Sequence, residues 1–422
     1  MKMKTILLTV FFVLVAGSLS AQVRFWWWGR AQLTPFERPI NPGATDVDSD
    51  GSINAHIWWT KFGVNASNGE RTAGFDAEMA TMMKMTNDDG ANIFSSWIEN
   101  GDFYSYSLWI RPVNQLFVRV GKYNYDRDTG WPLDFFDRVR YTDSNGLAED
   151  EFFAGYDNMM QSTIKESTFI PGTPEYSAGT SIPVGALFEG YFGTFTVDIN
   201  FKGIDSTMDP LDYLQTIQVG ARYDLKGIGF FRLQMIGFDP DGKITGNYNK
   251  RDGATSQIQA AANITALPGF DFRMGFHYYL SQCDTMWGSR FTSDKGAVSI
   301  PMGVEVSLFN PFSFRILGDI QLGTDRTYGK AISNYKIGGQ LKYVHNVYLT
   351  SLLNVSAYNI GKYVNGIYYE DKKPRVDIAA GVQVTNFLTN ASIQTGVVVQ
   401  IPTYEGTQIG IAIPITFEMG VF

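Results

Sequence analysis

The sequence predicts an all-β chain, a transmembrane antiparallel up-and-down β-barrel of about 18 strands, with 16 strands as the alternative. Stretches of about ten residues alternate apolar with small or polar side chains, which is the period of a strand with one apolar face. Very short turns alternate with longer polar loops, as in barrels that cross a membrane. Aromatic residues make up 15% of the chain and charged residues only 18%, below the usual quarter. This composition favours strands over helices.

The N-terminal residues 1–21 have the pattern of a secretory signal peptide. Lys2 and Lys4 precede an apolar run from Ile6 to Val15, and small residues follow. The run is too short for a membrane-spanning helix, and we expect cleavage after Ser20 or Ala21. The mature chain 22–422 would then be exported to the cell outer membrane. Its single cysteine excludes an internal disulfide framework.

The strands pair as long hairpins. For example, the alternating stretches 255–266 and 269–280 meet at the turn "LPG". The same pattern predicts strands near 23–33, 53–64, 72–84, 103–111, 116–125, 181–190, 193–203, 213–224, 227–238, 255–266, 269–280, 297–308, 312–322, 335–344, 347–358, 375–386, 390–401 and 407–421. The stretch 93–99 is a further candidate strand. An even number of strands places both chain ends, and all the short turns, on the periplasmic side.

A soluble β-sandwich also explains alternation, because it too has one apolar and one polar face. The regular order of long hairpins favours the membrane barrel instead. Aromatic residues near the strand ends are typical of interfacial girdles: Tyr104, Tyr106, Trp109, Tyr213, Tyr223, Tyr278, Tyr335 and Tyr343. We assign Trp26, Trp27 and Trp28 to such a girdle as well, although clustered indoles also stack on sugar rings.

Three segments carry a family resemblance: "WGRAQLTPF", "LWIRPVNQLFVRVGKYNY" and the C-terminal "PITFEMGVF". They resemble the bacterial outer-membrane β-barrel porin family, and the first two are similar to a porin-like group of spirochaete outer membranes. The resemblance implies that strand 407–422 is read by the barrel-assembly machinery, that outer-membrane lipid surrounds the barrel, and that a homotrimer is one possible assembly. One departure is that Phe422 is out of phase with Phe417, Met419 and Val421.

The second face of the strands carries arginines that we predict to line the pore, namely Arg119, Arg222, Arg232, Arg273 and Arg315. The 55-residue connection 126–180 is acidic and is too long for an ordinary loop. Porins commonly fold one such loop into the barrel, so the resemblance implies a constriction. Asp134, Asp137 and Asp157 would face the arginines there, and the resulting field would set ion preference. The alternative is an acidic loop that stays solvated outside.

These features predict a porin, a water-filled channel for passive diffusion of small hydrophilic solutes and ions. One alternative is a substrate-selective channel: a continuous ladder of lumen aromatics would favour sugars, and an apolar lumen would favour lipids. The other is a surface adhesin or antigen that uses the barrel as an anchor. Transport through a pore needs no cofactor.

The segment "DVDSDGSIN" matches the first half of an EF-hand calcium loop, with Asp46, Asp48 and Asp50 as ligand candidates. The twelfth position is Ile57 where a bidentate Glu is needed, so a Ca²⁺ site and a plain exposed loop both stay open. The three histidines, His56, His277 and His345, have no ligand spacing, and no nucleophile motif accompanies them. We therefore expect no enzyme. No basic stripe suggests nucleic acid.

Overall fold

The computed structural model describes residues 22–38, 52–85, 105–122, 184–202, 217–237, 257–280, 296–309, 311–324, 329, 331–359, 362–364, 367–369, 375–388, 390–402 and 409–421. Several sequence predictions fall outside these residues. They are the signal peptide 1–21, the extra strand 93–99, the connection 126–180 and the terminal Phe422.

Long strands form nearly all of the described chain. In chain order they are β1 (Gln22–Arg38), β2 (Ser52–Ser67), β3 (Ala73–Met85), β4 (Ser105–Val113), β5 (Leu116–Lys122), β6 (Val184–Phe192), β7 (Phe195–Lys202), β8 (Ile217–Leu225), β9 (Gly229–Ile236), β10 (Gln257–Ile264), β11 (Phe270–Tyr279), β12 (Val298–Phe309), β13 (Phe312–Thr324), β14 (Ala331–Val344), β15 (Leu349–Asn359), β16 (Lys362–Val364), β17 (Ile367–Tyr369), β18 (Arg375–Thr385), β19 (Ala391–Pro402), β20 (Gly410–Ala412) and β21 (Ile415–Val421).

The main sheet closes on itself as an antiparallel barrel. Each strand pairs with its sequence neighbours, and the final segment β21 pairs with β1 from Trp27↔Val421 to Leu33↔Ile415. Segments β20 and β21 keep one register against β19, so they form a single terminal strand interrupted at 413–414. The 19 segments of the main sheet therefore make an 18-stranded barrel within the described residues.

The two ends of the barrel differ. Short turns such as 114–115 and 193–194 join strands at one end, the end where β1 begins and β21 finishes. The residues between strands at the other end lie largely outside the described ranges. We call the first the short-turn end. Within the described residues, no helix has the length and apolar character needed to cross a membrane.

Apart from a few bulges, side chains alternate between the two faces of the wall, because successive residues of a strand point to opposite sides. Large apolar side chains on the outward face remain exposed, such as Phe25 at 75%, Leu233 at 57% and Ile337 at 51%. Polar side chains on the inward face are often almost fully buried, such as Asp198 and Asn200, both at 0%. The apolar residues are thus outside and the polar residues inside, the reverse of a water-soluble domain.

The predicted fold class is confirmed, and the strand number is 18 rather than 16. Two details differ from the sequence prediction. The last strand is broken at Ile413–Pro414, because Pro414 has no N–H for the ladder. The separate hairpin of β16 and β17 lies between β15 and β18, and its three-residue strands are too short to show a periodic pattern.

Closure of the barrel predicts a specific crosslink. Ala31 and Phe417 are opposed across the β1–β21 seam, within disulfide reach. In a Cys283→Ser background, Ala31→Cys with Phe417→Cys should form a disulfide that changes the migration of the denatured chain on a non-reducing gel. The control is Ala31→Cys with Ile393→Cys, since Ile393 lies one strand further away, at about 10 Å. Equal crosslinking of both pairs would contradict the register.

Candidate functional site

The inward wall is lined by polar side chains from neighbouring strands. One continuous cross-strand row joins Glu189, Asp198, Gly220, Gln234 and Gln259 of β6 to β10. Four of these side chains are at most 4% exposed, and Gln234 donates a short hydrogen bond to Gln259. In the adjacent row, Gln218 Nε2 donates to Gln234 Oε1 at 3.0 Å. Buried polar groups require such partners because unpaired ones are costly.

All five predicted pore arginines lie on the inward face, and each has a carboxylate neighbour on the wall itself. The N···O distances are 2.9 Å for Arg119–Asp76, 2.7 Å for Arg222–Asp224, 2.8 Å for Arg232–Asp198, 2.8 Å for Arg273–Asp271 and 2.7 Å for Arg315–Glu305. Four of the pairs retain part of their surface, whereas Arg232–Asp198 is almost fully buried. The wall is therefore charge-balanced around these five arginines.

The buried pair depends on a glycine. Asp198 on β7 and Arg232 on β9 reach each other across β8, at the position of Gly220. The ion pair has two close N···O contacts, Nη1–Oδ1 at 2.8 Å and Nη2–Oδ2 at 3.0 Å, and in the second of them Arg232 donates a hydrogen bond to Asp198. A Cβ on Gly220 would meet Arg232 Nη2 and would lie 2.8 Å from both Asp198 carboxylate oxygens. The absence of a side chain at Gly220 is what lets the two charged groups meet.

Like charges face each other directly, and diagonal partners neutralise them. Arg222 and Arg232 are opposed across β8 and β9. Arg222 pairs with Asp224 two residues along its own strand, and its guanidinium lies 4.0 Å from the ring centroid of Phe230. Arg232 is held by Asp198 instead. Each guanidinium thus has its own partner, which offsets the repulsion expected of directly opposed like charges.

A second pair of opposed charges follows the same rule. Asp271 and Glu305 face each other across β11 and β12. Asp271 accepts hydrogen bonds from Arg273 of its own strand and from Asn263 Nδ2 at 2.5 Å, and Glu305 accepts from Arg315 Nε at 2.7 Å. The arrangement gives the inward face fixed charges of both signs.

The acidic residues of loop 126–180 that are predicted to face the arginines lie outside the described residues, namely Asp134, Asp137 and Asp157. A role of the arginines in a constriction stays a prediction. Asp46, Asp48 and Asp50 also lie outside the described residues, so the Ca²⁺ prediction is untested. In the part of the chain that the structure describes, no group of three or more His, Cys, Asp or Glu side chains is arranged to hold a metal ion.

Sequence reasoning did not identify the wall partners of the arginines. A local signal existed for two of them, because Arg222/Asp224 and Asp271/Arg273 are two residues apart on one strand and so share a face. Asp76, Asp198 and Glu305 lie on other strands than their arginines. Their pairing depends on the register, which the pattern did not supply.

Three tryptophans differ from the girdle prediction. Trp26, Trp28 and Trp109 share the inward face with Gly63, Gly420 and Arg119 in register, whereas Trp27 faces outward. Trp28 Nε1 donates to Glu418 Oε1 at 2.9 Å across the closing seam. Tyr223, Tyr278 and Tyr335 lie outward and exposed, as predicted for girdle residues. A triple-Trp run on a strand must alternate faces, which the girdle assignment overlooked.

One histidine has a defined contact. His345 Nε2 lies 2.7 Å from Ser351 Oγ, and its ring meets Tyr343 edge-on at 4.5 Å. Tyr343 and Ser351 are opposed on the outward face near the short turn 345–348. The contact is therefore on the opposite face of the wall from the lumen side chains.

Comparison with known proteins identifies the fold of the chain, through a solved structure and not through its sequence. No protein-family model and no curated protein match the sequence. A BenF-like porin from Pseudomonas fluorescens Pf-5 superposes with a TM-score of 0.50 at 12% identity, over 96% of this chain and 100% of that one. This likeness shows that the chain has the β-barrel fold of that porin.

Two further solved structures are similar at lower scores. OpdQ of Pseudomonas aeruginosa has a TM-score of 0.49 at 9% identity, over 95% of this chain and 98% of that one. An anion-selective porin from Comamonas acidovorans has a TM-score of 0.48 at 10% identity, over 95% of this chain and 100% of that one.

The buried ion pair predicts that Gly220 is sensitive to a single methyl group. Gly220→Ala should displace the Asp198–Arg232 pair and lower the free energy of unfolding by about 1–3 kcal/mol. Urea unfolding of the refolded protein followed by tryptophan fluorescence measures the change. The matched control is Gly339→Ala, whose Cβ would lie 3.5 Å from Arg315 O, an ordinary contact. Equal stability of the two variants would contradict the role of Gly220.

Proposed function

We propose that this chain is an outer-membrane porin, a water-filled channel through which small hydrophilic solutes and ions diffuse passively. The observation that carries the proposal is the closed 18-stranded barrel with its apolar residues outside and its charge-balanced polar residues inside. A barrel of this strand number is wide enough to leave an aqueous lumen. No energy source, cofactor or catalytic group is needed for such diffusion.

The outward face supports the membrane part of the proposal. Exposed Phe25, Phe188, Phe231, Leu233 and Ile337 belong to an apolar surface that encircles the barrel. Such a surface would cause aggregation in water, whereas lipid tails solvate it at no cost. Together with the signal peptide predicted at 1–21, it favours the outer membrane as the location.

The inward wall supports passage of hydrophilic solutes. Guanidinium and carboxylate groups of four wall pairs keep part of their surface, so they can exchange hydrogen bonds with passing solutes. Because each of the five arginines is matched by a nearby anion, this part of the described wall favours weak ion selectivity. Loop 126–180, with Asp134, Asp137 and Asp157, remains our proposal for the constriction. The terminal strand 407–422 remains our proposed contact with the barrel-assembly machinery, and a homotrimer our proposed alternative to a single barrel.

A second candidate is a substrate-selective channel. It is favoured by the aromatic side chains of the inward face, among them Trp26 and Trp109, which a purely unspecific pore does not need. Such a channel would conduct ions and bind its substrate on the way.

Single-channel recording of the purified, refolded protein in a planar bilayer tests the proposal. A porin should give stable open steps whose size scales with salt concentration. A protein that inserts into the bilayer but never conducts would contradict the proposal and favour the surface-adhesin alternative.

The charge balance predicts opposite effects of two changes that each remove one charge. Arg315→Gln leaves Glu305 unneutralised, so the reversal potential in a salt gradient should shift toward cation preference. Glu305→Gln leaves Arg315 and should shift the potential toward anion preference. The double variant should return close to the unmodified value. Shifts of the same sign for both single variants would contradict a charge-balanced lumen.

A further inference from the structure

Two indole rings lie against the inner wall over glycines. The ring of Trp26 on β1 covers Gly63 of β2, and the ring of Trp109 on β4 covers Gly74 of β3. A Cβ at either glycine would collide with the indole, so the glycines are what permit the close approach of the rings to the wall. Both tryptophans are half-buried, which leaves part of each ring accessible from the lumen.

A fixed polar group lies between the two indoles. Asn65 and Asp76, on the two middle strands, are opposed in the row between those of Gly63 and Gly74. Asp76 accepts from Asn65 Nδ2 at 2.8 Å and from Arg119 Nη2 at 2.9 Å. Asp76 and Arg119 still expose 29% and 25% of their side chains. The Asn65 amide, the Asp76 carboxylate and the Arg119 guanidinium are thus held in place, and their exposed surface can form hydrogen bonds with the hydroxyl groups of a ligand.

The aromatic surface continues toward the next strands. Phe117 on β5 lies 6.0 Å from Trp109, centroid to centroid, with 32° between the rings. Beyond it, Tyr191 on β6 donates its hydroxyl to Glu189 at 2.8 Å. The guanidinium of Arg111 lies 5.8 Å from the Phe117 centroid and 5.9 Å from the Tyr191 centroid. We name Trp26, Trp109, Phe117 and Tyr191 the aromatic strip.

We propose that the aromatic strip is a binding site for carbohydrate, specifically for a short neutral oligosaccharide passing through the lumen. Gly63 and Gly74 are four residues and one strand apart, so the two wall positions that the indoles cover are about 14 Å apart, a span for more than one sugar unit. The apolar face of a pyranose packs on an aromatic ring, and its hydroxyls bond to fixed polar groups at the edge. This substrate class rests on the proposed channel function.

The main competitor on the same surface is an aromatic carboxylate, which would also stack on the rings. Such an anion needs a cation whose charge is not already matched. Arg119, the guanidinium between the indoles, is neutralised by Asp76, whereas Arg111 lies beyond the indoles, against Phe117 and Tyr191. The Asn65–Asp76–Arg119 group carries no net charge, which favours a neutral polyhydroxylated ligand.

The test is calorimetric titration of the full-length, detergent-solubilised protein with glucose, maltotriose, cellotriose and raffinose, and with benzoate as the anionic probe. Trp26→Leu and Trp109→Leu each remove a flat face but keep an apolar side chain, and should weaken sugar binding about two- to tenfold. Gly63→Ala should weaken binding too, by lifting the Trp26 ring while keeping the tryptophan. The matched control is Trp27→Leu, the same change on the outward face.

We expect at least one of the neutral sugars to bind, with weaker binding in the three inward variants and unchanged binding in Trp27→Leu. Binding of benzoate alone, or equal loss in Trp27→Leu, would overturn the carbohydrate assignment, as would no sugar binding at all. Bilayer recording separates this result from the proposed function. Conductance without sugar binding refutes only the site, and sugar binding by a silent barrel refutes only the channel.

Discussion

Closure of the backbone ladder between the first and last strands determines the architecture of the whole barrel. Within the described residues, β1 pairs with both β2 and β21, so the sheet has no free edge there. Once the ring is closed, the two faces of every strand become an inside and an outside. A change of register by one residue would then move every side chain to the wrong face. The apolar belt and the polar lumen therefore follow from one set of hydrogen bonds.

The second constraint concerns charge on the inward face. A charged side chain on a wall partly withdrawn from water needs an opposite charge nearby. The barrel supplies these partners from the wall itself, either two residues along a strand or across neighbouring strands. Small residues make the longer contacts possible, as Gly220 does for Asp198 and Arg232. Glycine plays the same part beneath the indoles of the aromatic strip. At each of these positions the missing side chain leaves room for a side chain from a neighbouring strand.

The sequence predicted the barrel and its 18 strands, because period-two alternation and hairpin turns are local signals. It also identified the five inward arginines, since parity along one strand decides a face. It did not give the partners Asp76, Asp198 and Glu305, because contacts between strands depend on the register of the whole ring. The girdle assignment of Trp26, Trp28 and Trp109 was wrong for a different reason: residue type was given more weight than parity. The break at Pro414 was readable from the missing N–H of proline.

Thiol labelling in lipid vesicles determines whether water contacts one face of the wall and lipid the other. Single cysteines would replace inward Ser313, Gln383 or Gln394, and outward Ile316, Leu341 or Leu353, in a Cys283→Ser background. A charged, membrane-impermeant thiol reagent should label the three inward positions and spare the three outward ones until the protein is denatured in detergent. Labelling of the outward set, or protection of the inward set, would contradict a water-filled lumen in a lipid-solvated barrel.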